Sequence, residues 1–155
     1  MLRLFRERYE ALATVGLGGE AQIVKGLDRQ HGRFVTLKIR PASDEASREA
    51  LLGEARVLLA LPPHPALPLV REDFFDRDDY VVVMDWVEGT DLATLLADNG
   101  RPGLPPSSVL AYLAQAAEAI AHLHSQSPPI IHGDVKPGNL ILTTGGRIKL
   151  VDFGL

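Results

Sequence analysis

The chain has 155 residues and a formal net charge of −4, from 16 Lys and Arg against 20 Asp and Glu. Hydrophobic residues make up 46% and charged residues 23%, ordinary globular usage that excludes a disordered chain, a collagen-like chain and a polybasic nucleic-acid binder. Cysteine is absent, which removes disulfides, thiolate metal sites and a cysteine nucleophile, and the length suits one domain or two small lobes.

Residues 1–8 are charged throughout and lack the apolar stretch of a signal peptide. No apolar run approaches the roughly 18–20 residues of a membrane helix, so a cytoplasmic chain without a membrane segment is expected. Residues 11–15, 21–26 and 33–40 alternate or run apolar and predict three strands, with the polar, Gly-ended stretch 28–32 as a hairpin connection. Pro41 closes the third. Ser43, with Asp44 and Glu45 behind it, predicts a helix cap, and Leu51, Leu52, Ala55, Leu58, Leu59 and Leu61 follow at helical spacing. The Pro-rich stretch 62–65 ends that helix.

Residues 67–75 and 80–86 predict two more strands around the turn Asp76-Arg77-Asp78-Asp79. The run Val81-Val82-Val83-Met84 is what a strand buried on both faces requires. Glu88-Gly89-Thr90 breaks the pattern and is taken as a lobe boundary, giving segments 1–88 and 89–155. A short helix is predicted over 91–97. After the Gly/Pro-rich stretch 99–106, a longer helix is predicted with Ser107 as its cap and Val109, Leu110, Leu113, Ala116, Ala117, Ile120 and Leu123 on one side. Short apolar pieces follow at 130–131, 140–142 and 148–151.

Four separated signals carry chemistry. Gly16-Leu17-Gly18-Gly19-Glu20-Ala21-Gln22-Ile23 lies between two strands, where glycines let backbone N–H groups approach phosphate oxygens. Lys38 sits on a mostly apolar strand and wants an anionic partner. In His132-Gly133-Asp134-Val135-Lys136-Pro137-Gly138-Asn139 a base, a cation and an oxygen ligand share one loop. Asp152-Phe153-Gly154 places a hard-metal ligand at a strand end. Alone, the first reads as a hairpin turn and the second as an edge-strand lysine facing water, and the three residues of the fourth mean little; the third is specific by itself. His122 and His124, two apart on a helix, do not share a face and read as packing and solvent-facing residues.

In this order the four signals resemble the eukaryotic-type serine/threonine protein kinase catalytic domain, truncated just after the Asp152-Phe153-Gly154 motif. Lys136 after Asp134 resembles the serine/threonine branch. The resemblance implies an α+β fold, with a five-stranded antiparallel lobe carrying one main helix, then the first part of a helical lobe, and nucleotide in the cleft between. It implies ATP and Mg²⁺ as ligands and a protein substrate, with no nucleic acid. Gly16, Gly18, Gly19, Ala21 and Ile23 would cover the phosphates, and Ile23 the base in preference to Val24. Lys38 would contact the α- and β-phosphates. Glu54 would pair with Lys38, chosen over Glu45 and Glu49 because Leu58 and Leu61 follow it at i+4 and i+7. Met84 would stand behind the adenine, Asp85 and Val87 would offer backbone groups, Asp91 would approach the ribose and Ile141 would face the base. Asp134 would deprotonate the acceptor hydroxyl, Lys136 would stabilise the transferring group, and Asn139 and Asp152 would hold Mg²⁺.

Departures from the family pattern set further expectations. Ala21 stands at the usual third glycine, so a stiffer loop is expected. Thr36 replaces an alanine near adenine. Gly133 replaces the arginine that binds an activation-loop phosphate, so control by that phosphate is not expected. With the sequence ending at Leu155, little peptide phosphorylation by this chain alone is expected, and part of the apolar face of the longer helix should be exposed. Two alternatives remain: a small-molecule phosphotransferase of the aminoglycoside or choline kind, and a nucleotide-binding module without catalysis.

Overall fold

The computed structural model describes residues 3–17, 21–99 and 103–153. Gly18, Gly19 and Gly154 lie outside the described residues. The architecture is α+β, and the chain divides into two units. One holds Met1–Leu61 and Leu69–Trp86; the other holds Pro62–Pro68 and Val87–Gly154.

The first unit is an antiparallel sheet with one helix. Its strands are β1 (Leu4–Phe5), β2 (Tyr9–Leu17), β3 (Gln22–Asp28), β4 (Arg33–Pro41), β5 (Val70–Asp76) and β6 (Asp79–Asp85), in the order β1-β2-β3-β4-β6-β5. Five strands were expected, and the sixth is the two-residue edge strand β1. Two residues are too short to show a period, and charged neighbours mask Phe5, which is nonetheless fully buried. The β1–β2 turn places Arg6 and Glu7 at φ 48° and 56°, the left-handed pair that a tight hairpin with right-handed twist demands.

Alternation along β4 sorts the sheet into two faces. Val35, Leu37 and Ile39 join Phe5, Tyr9, Val24, Phe74, Val81 and Val83 in one cluster. Burying each such side chain is worth about 1.5–3 kcal/mol. In β6, Val81, Val82, Val83 and Met84 are all buried, as a strand covered on both faces requires. The sheet curls until its edges meet. Arg3, ahead of β1, bonds Asp76 and Asp79 at the β5–β6 turn, at 2.9 and 2.7 Å. Tyr9 stacks on Phe74 with ring centroids 5.8 Å apart, and its hydroxyl donates to Glu72. Arg8 joins Glu72 to the buried Asp28, each contact at 2.8 Å.

Helix α1 (Glu45–Leu59) is capped by Asp44, which accepts from the Ser47 N–H at 2.8 Å. The cap is one residue later than Ser43, because only Asp44 has a carboxylate within reach of that N–H. Leu51, Ala55 and Leu58 form its buried face. Strand β5 starts at Val70, three residues later than expected. The preceding segment is held by the second unit: Ala66 O accepts from Leu150 N–H at 2.8 Å, and Leu67 O accepts from Lys149 Nζ at 2.9 Å. His64 stacks on His122 at 4.7 Å.

The second unit has a three-stranded antiparallel sheet, β7 (Gly89–Asp91), β8 (Leu140–Thr143) and β9 (Ile148–Leu150), with helices α2 (Leu92–Asn99) and α3 (Pro106–His124). The stretch read as a break at Gly89 is thus a strand. Its close pairing explains the glycine: a Cβ there would lie 2.3 Å from Leu142 O. Ser107 does not cap α3. The helix begins on Pro106, whose missing N–H suits the first turn, and among the described residues no side chain caps it. Ala116, Ala119 and Leu123 are buried, while Leu110 and Leu113 are 69% and 51% exposed.

Candidate functional site

Strand register assembles the part of the site in the first unit. Gly16 pairs with Ile23, Ile23 with Lys38, and Lys38 with Val82. Lys25 pairs with Thr36, and Thr36 with Met84. Cross-strand partners share a face, so Gly16, Ile23, Lys38, Thr36 and Met84 stand together on the face opposite the apolar cluster. Val24 pairs with Leu37 and turns into that cluster, which separates it from Ile23. Ala21 lies just before β3, half-buried. Lys38 is 5% exposed and Met84 4%.

Glu54 differs from expectation. Its carboxylate, 51% exposed, meets Arg40 Nη1 at 3.3 Å. Arg40 is two residues beyond Lys38 on β4 and emerges on the same side, nearer the surface where Glu54 sits. Asp85 donates its N–H to Leu69 O at 2.9 Å, and its carboxylate takes a two-point contact from Arg71 at 2.7 and 3.0 Å. That contact holds the end of β6. Next to it, Lys25 Nζ lies 4.5 Å from the Trp86 ring centre and 4.4 Å from that of Phe34.

The second unit brings its own residues together in one loop. Asp134 Oδ2 accepts from Lys136 Nζ at 2.6 Å and from Asn139 Nδ2 at 3.1 Å. Asn139 Nδ2 also donates to Asp134 O at 2.8 Å. Lys136 holds the Asp134 carboxyl below the usual carboxylate range; burial opposes this and Asn139 assists it. A single turn of 3-10 helix (Pro137–Asn139) brings Asn139 back over the loop. His132, buried, bridges Val151 O at 3.0 Å and the Asp134 N–H at 3.2 Å. A carbonyl on Nε2 and an N–H on Nδ1 select the tautomer with its proton on Nε2.

Asn139 O accepts from Val151 N–H at 2.9 Å, which sets Asp152 next in line. Asp152 takes φ 62°, a left-handed conformation costly for a non-glycine residue. The fully buried Phe153, tilted against His132 at 6.5 Å, anchors it. Val87 is 7% exposed. Asp91 and Ile141 are cross-strand partners on β7 and β8. Both Asp91 carboxylate oxygens accept from Thr94, its N–H at 2.9 Å and its hydroxyl at 2.7 Å, so Asp91 caps α2. Burial pushes its carboxyl up, and the Thr94 bonds hold it below the ordinary value.

Sequence reasoning missed two groups that support these residues. Arg71 behind Asp85 carried no signal, because opposite charges 14 residues apart are commonplace. Lys149 and Gln115, which bond Leu67 O and the Ile148 N–H at 2.9 and 3.0 Å, lie on elements whose meeting is decided by packing.

A sequence profile of the protein kinase domain matches residues 9–155. The chain is 35% identical over 150 residues to serine/threonine-protein kinase 36 of Pongo abelii, covering 96% of this chain and 11% of that protein. It is 30% identical over 162 residues to serine/threonine-protein kinase cds1 of Schizosaccharomyces pombe, covering 100% and 34%. It is 32% identical over 150 residues to cyclin-dependent kinase 14 of Callithrix jacchus, covering 96% and 34%. The chain thus spans between 11% and 34% of the length of these curated relatives.

Proposed function

The chain belongs to the protein kinase domain family, and from that premise we propose that it binds ATP with Mg²⁺ and transfers the γ-phosphoryl group to a serine or threonine hydroxyl of a protein. The observation that carries this reading is the loop at 132–139, where one carboxylate is met by an ammonium at 2.6 Å and an amide at 3.1 Å. Phosphoryl transfer asks mainly for positioning and charge neutralisation, and the loop supplies both. The hydroxyl oxygen bonds to the γ-phosphorus as the bond from that phosphorus to the β–γ bridging oxygen breaks, releasing ADP. The hydroxyl proton goes to Asp134, which first accepts it as a hydrogen bond and so aims the oxygen. Lys136 keeps Asp134 ionised and places positive charge beside the transferring group. His132 braces both strands of the loop.

The donor set fits magnesium. Asn139 Nδ2 is engaged by Asp134, which leaves its Oδ1 as a hard oxygen donor, and the Asp152 carboxylate is another. Mg²⁺ takes few protein oxygens besides phosphate and water, and among the described residues no group of three or more His, Cys, Asp or Glu is gathered for a metal. When bound, the ion neutralises charge on the phosphates.

On this reading Gly16, Gly18, Gly19, Ala21 and Ile23 cover the phosphates and Lys38 contacts them, while Glu54 rests on Arg40. Met84, Asp85, Val87 and Ile141 receive the adenine, and Asp91 meets the ribose alongside its capping bonds. Segment 1–88 is the nucleotide lobe and 89–155 the start of the second. The cytoplasm, where ATP is abundant, suits this chemistry. Calorimetry of Mg²⁺-dependent ATP binding to the 155-residue chain tests the reading, beside Lys38→Met and Asp152→Asn. Saturable binding, weakened in both variants, is expected. No binding by a chain that melts cooperatively overturns it.

A further inference from the structure

A cavity of about 230 Å³ opens at one end of the apolar cluster of the first unit. Phe5, Ala11, Val24 and Ile39 give it an apolar wall, and Arg3, Thr14 and Gln22 a polar one. Register gathers these residues: Ala11 pairs with Gly26, Thr14 with Val24, and Gln22 with Ile39. Cross-strand partners share a face, so they stand on the side that Val24 and Ile39 give to the cluster. Ile23, Lys38 and Met84 occupy the opposite face, which keeps the cavity apart from the residues assigned to nucleotide. Two features leave the space unfilled. Ala11 is small, and β2 loses register between Ala11 and Ala13, a bulge that bends the strand and re-aims its side chains.

The walls define what fits. A dry apolar cavity of about 150 Å³ binds benzene, so this one suits about nine non-hydrogen atoms. Gln22 Nε2 donates to Thr14 Oγ1 at 2.8 Å. The Gln22 Oε1 remains an acceptor and the Thr14 hydroxyl proton a donor, and an amide group complements that pair. Arg3 is held by Asp76 and Asp79 at 2.9 and 2.7 Å. Two carboxylates outnumber that one cation, so an anion gains no attraction there. We propose that this cavity binds a small neutral aromatic carboxamide, its ring on Phe5, Val24 and Ile39 and its amide on Thr14 and Gln22. The site does not depend on the nucleotide reading above.

The test is NMR titration of the 155-residue chain with benzamide, which has the required size. Saturable binding with a Kd on the order of 1 mM is expected, with intermolecular NOEs to the methyl groups of Ala11, Val24 and Ile39. Benzoate, of the same shape but charged, is expected to bind at least about tenfold more weakly. Thr14→Val keeps the shape of an exposed residue and is expected to weaken benzamide about fivefold by removing the hydroxyl. Ala11→Leu is expected to fill the space and abolish binding. No saturation at the solubility limit overturns the proposal, as do NOEs to Ile23 or Met84 in place of Val24 and Ile39. Benzoate binding as tightly as benzamide overturns it too, as does unchanged affinity in Thr14→Val or in a folded Ala11→Leu chain. The nucleotide reading stands or falls separately, on the ATP titration.

Discussion

Arg8→Ala probes what holds the curled sheet closed. Asp28 is 1% exposed, and Arg8 meets it through Nε and Nη2, both at 2.8 Å. Removing Arg8 leaves the buried carboxylate with only the more distant Arg33 guanidinium, whose Nε lies 3.6 Å from Asp28 Oδ2, whereas complete loss of the cation costs about 3–5 kcal/mol in a fully buried site. Two features put the expected loss at the lower end, about 3 kcal/mol. Arg8 is itself 24% exposed, and the Gln30 N–H and the His31 ring still reach Asp28 at 3.1 and 2.8 Å. With a urea m value of about 2 kcal/mol/M, the midpoint should fall by about 1.5 M. Acidity sharpens the test. Arg8 holds the Asp28 carboxyl far below its ordinary value; burial opposes this and His31 assists. The folded pKa is depressed, so this stabilisation is fully present above the unfolded value of about 3.9 and is lost as pH falls below it. The gap between wild type and variant should therefore be widest near neutrality and shrink below about pH 4. Replacing both partners, Arg8→Met with Asp28→Leu, should recover most of the loss. A loss under about 1 kcal/mol at neutral pH, the value of an exposed pair, refutes the reasoning, as does a gap that ignores pH.

Other outcomes follow from single residues. Gly89→Ala should open the β7–β8 pairing at a cost above about 2 kcal/mol, since the new Cβ meets backbone and not a flexible side chain; unchanged amide exchange at Asp91 and Ile141 would count against it. Lys136→Ala removes the main cause of the lowered Asp134 carboxyl. The acid limb of the pH–rate profile should then move to higher pH, and an unmoved limb contradicts the assigned coupling. His64 is held below its ordinary value by burial first and then by His122; Lys149 acts in the same direction and Glu118 opposes. Its neutral form is the one the fold prefers, so stability is complete above about pH 6.5 and falls as pH drops through that value. His64→Phe should flatten that dependence in urea unfolding between about pH 7.5 and 5.5, and identical slopes in the two proteins would rule the argument out.

The loop at 132–139 was legible because its members are neighbours in sequence. Asp134, Lys136 and Asn139 are joined by so little chain that one tight turn brings them into contact. The face of Lys38 was legible from alternation, since Val35, Leu37 and Ile39 claim the other side. The order of strands around Arg33–Pro41 and Asp79–Asp85 was foreseeable only in outline. The two-residue strand at Leu4–Phe5 was not, because two residues carry no period. Nor was the cap on Asp44 in place of Ser43, because both residue types cap helices and the choice depends on which oxygen reaches the N–H of Ser47.

Covalent spacing alone determined the strand faces, the apolar run of β6, the helix from Glu45 and the assembly of Asp134, Lys136 and Asn139. These rest on interactions within a few residues, where backbone geometry leaves few options. Tertiary structure decided the rest. It bound Pro62–Pro68 to the second unit through Lys149 and Leu150. It closed the sheet through Arg8, Asp28 and Glu72, partners separated by 20 and 64 residues. It made Gly89 the residue that lets β7 lie against β8, and it gave the Glu54 carboxylate to Arg40. Each of these depends on where two packed elements stand to within an ångström or so. Side chains distant in sequence compete for such positions, and only the folded packing settles which of them meet.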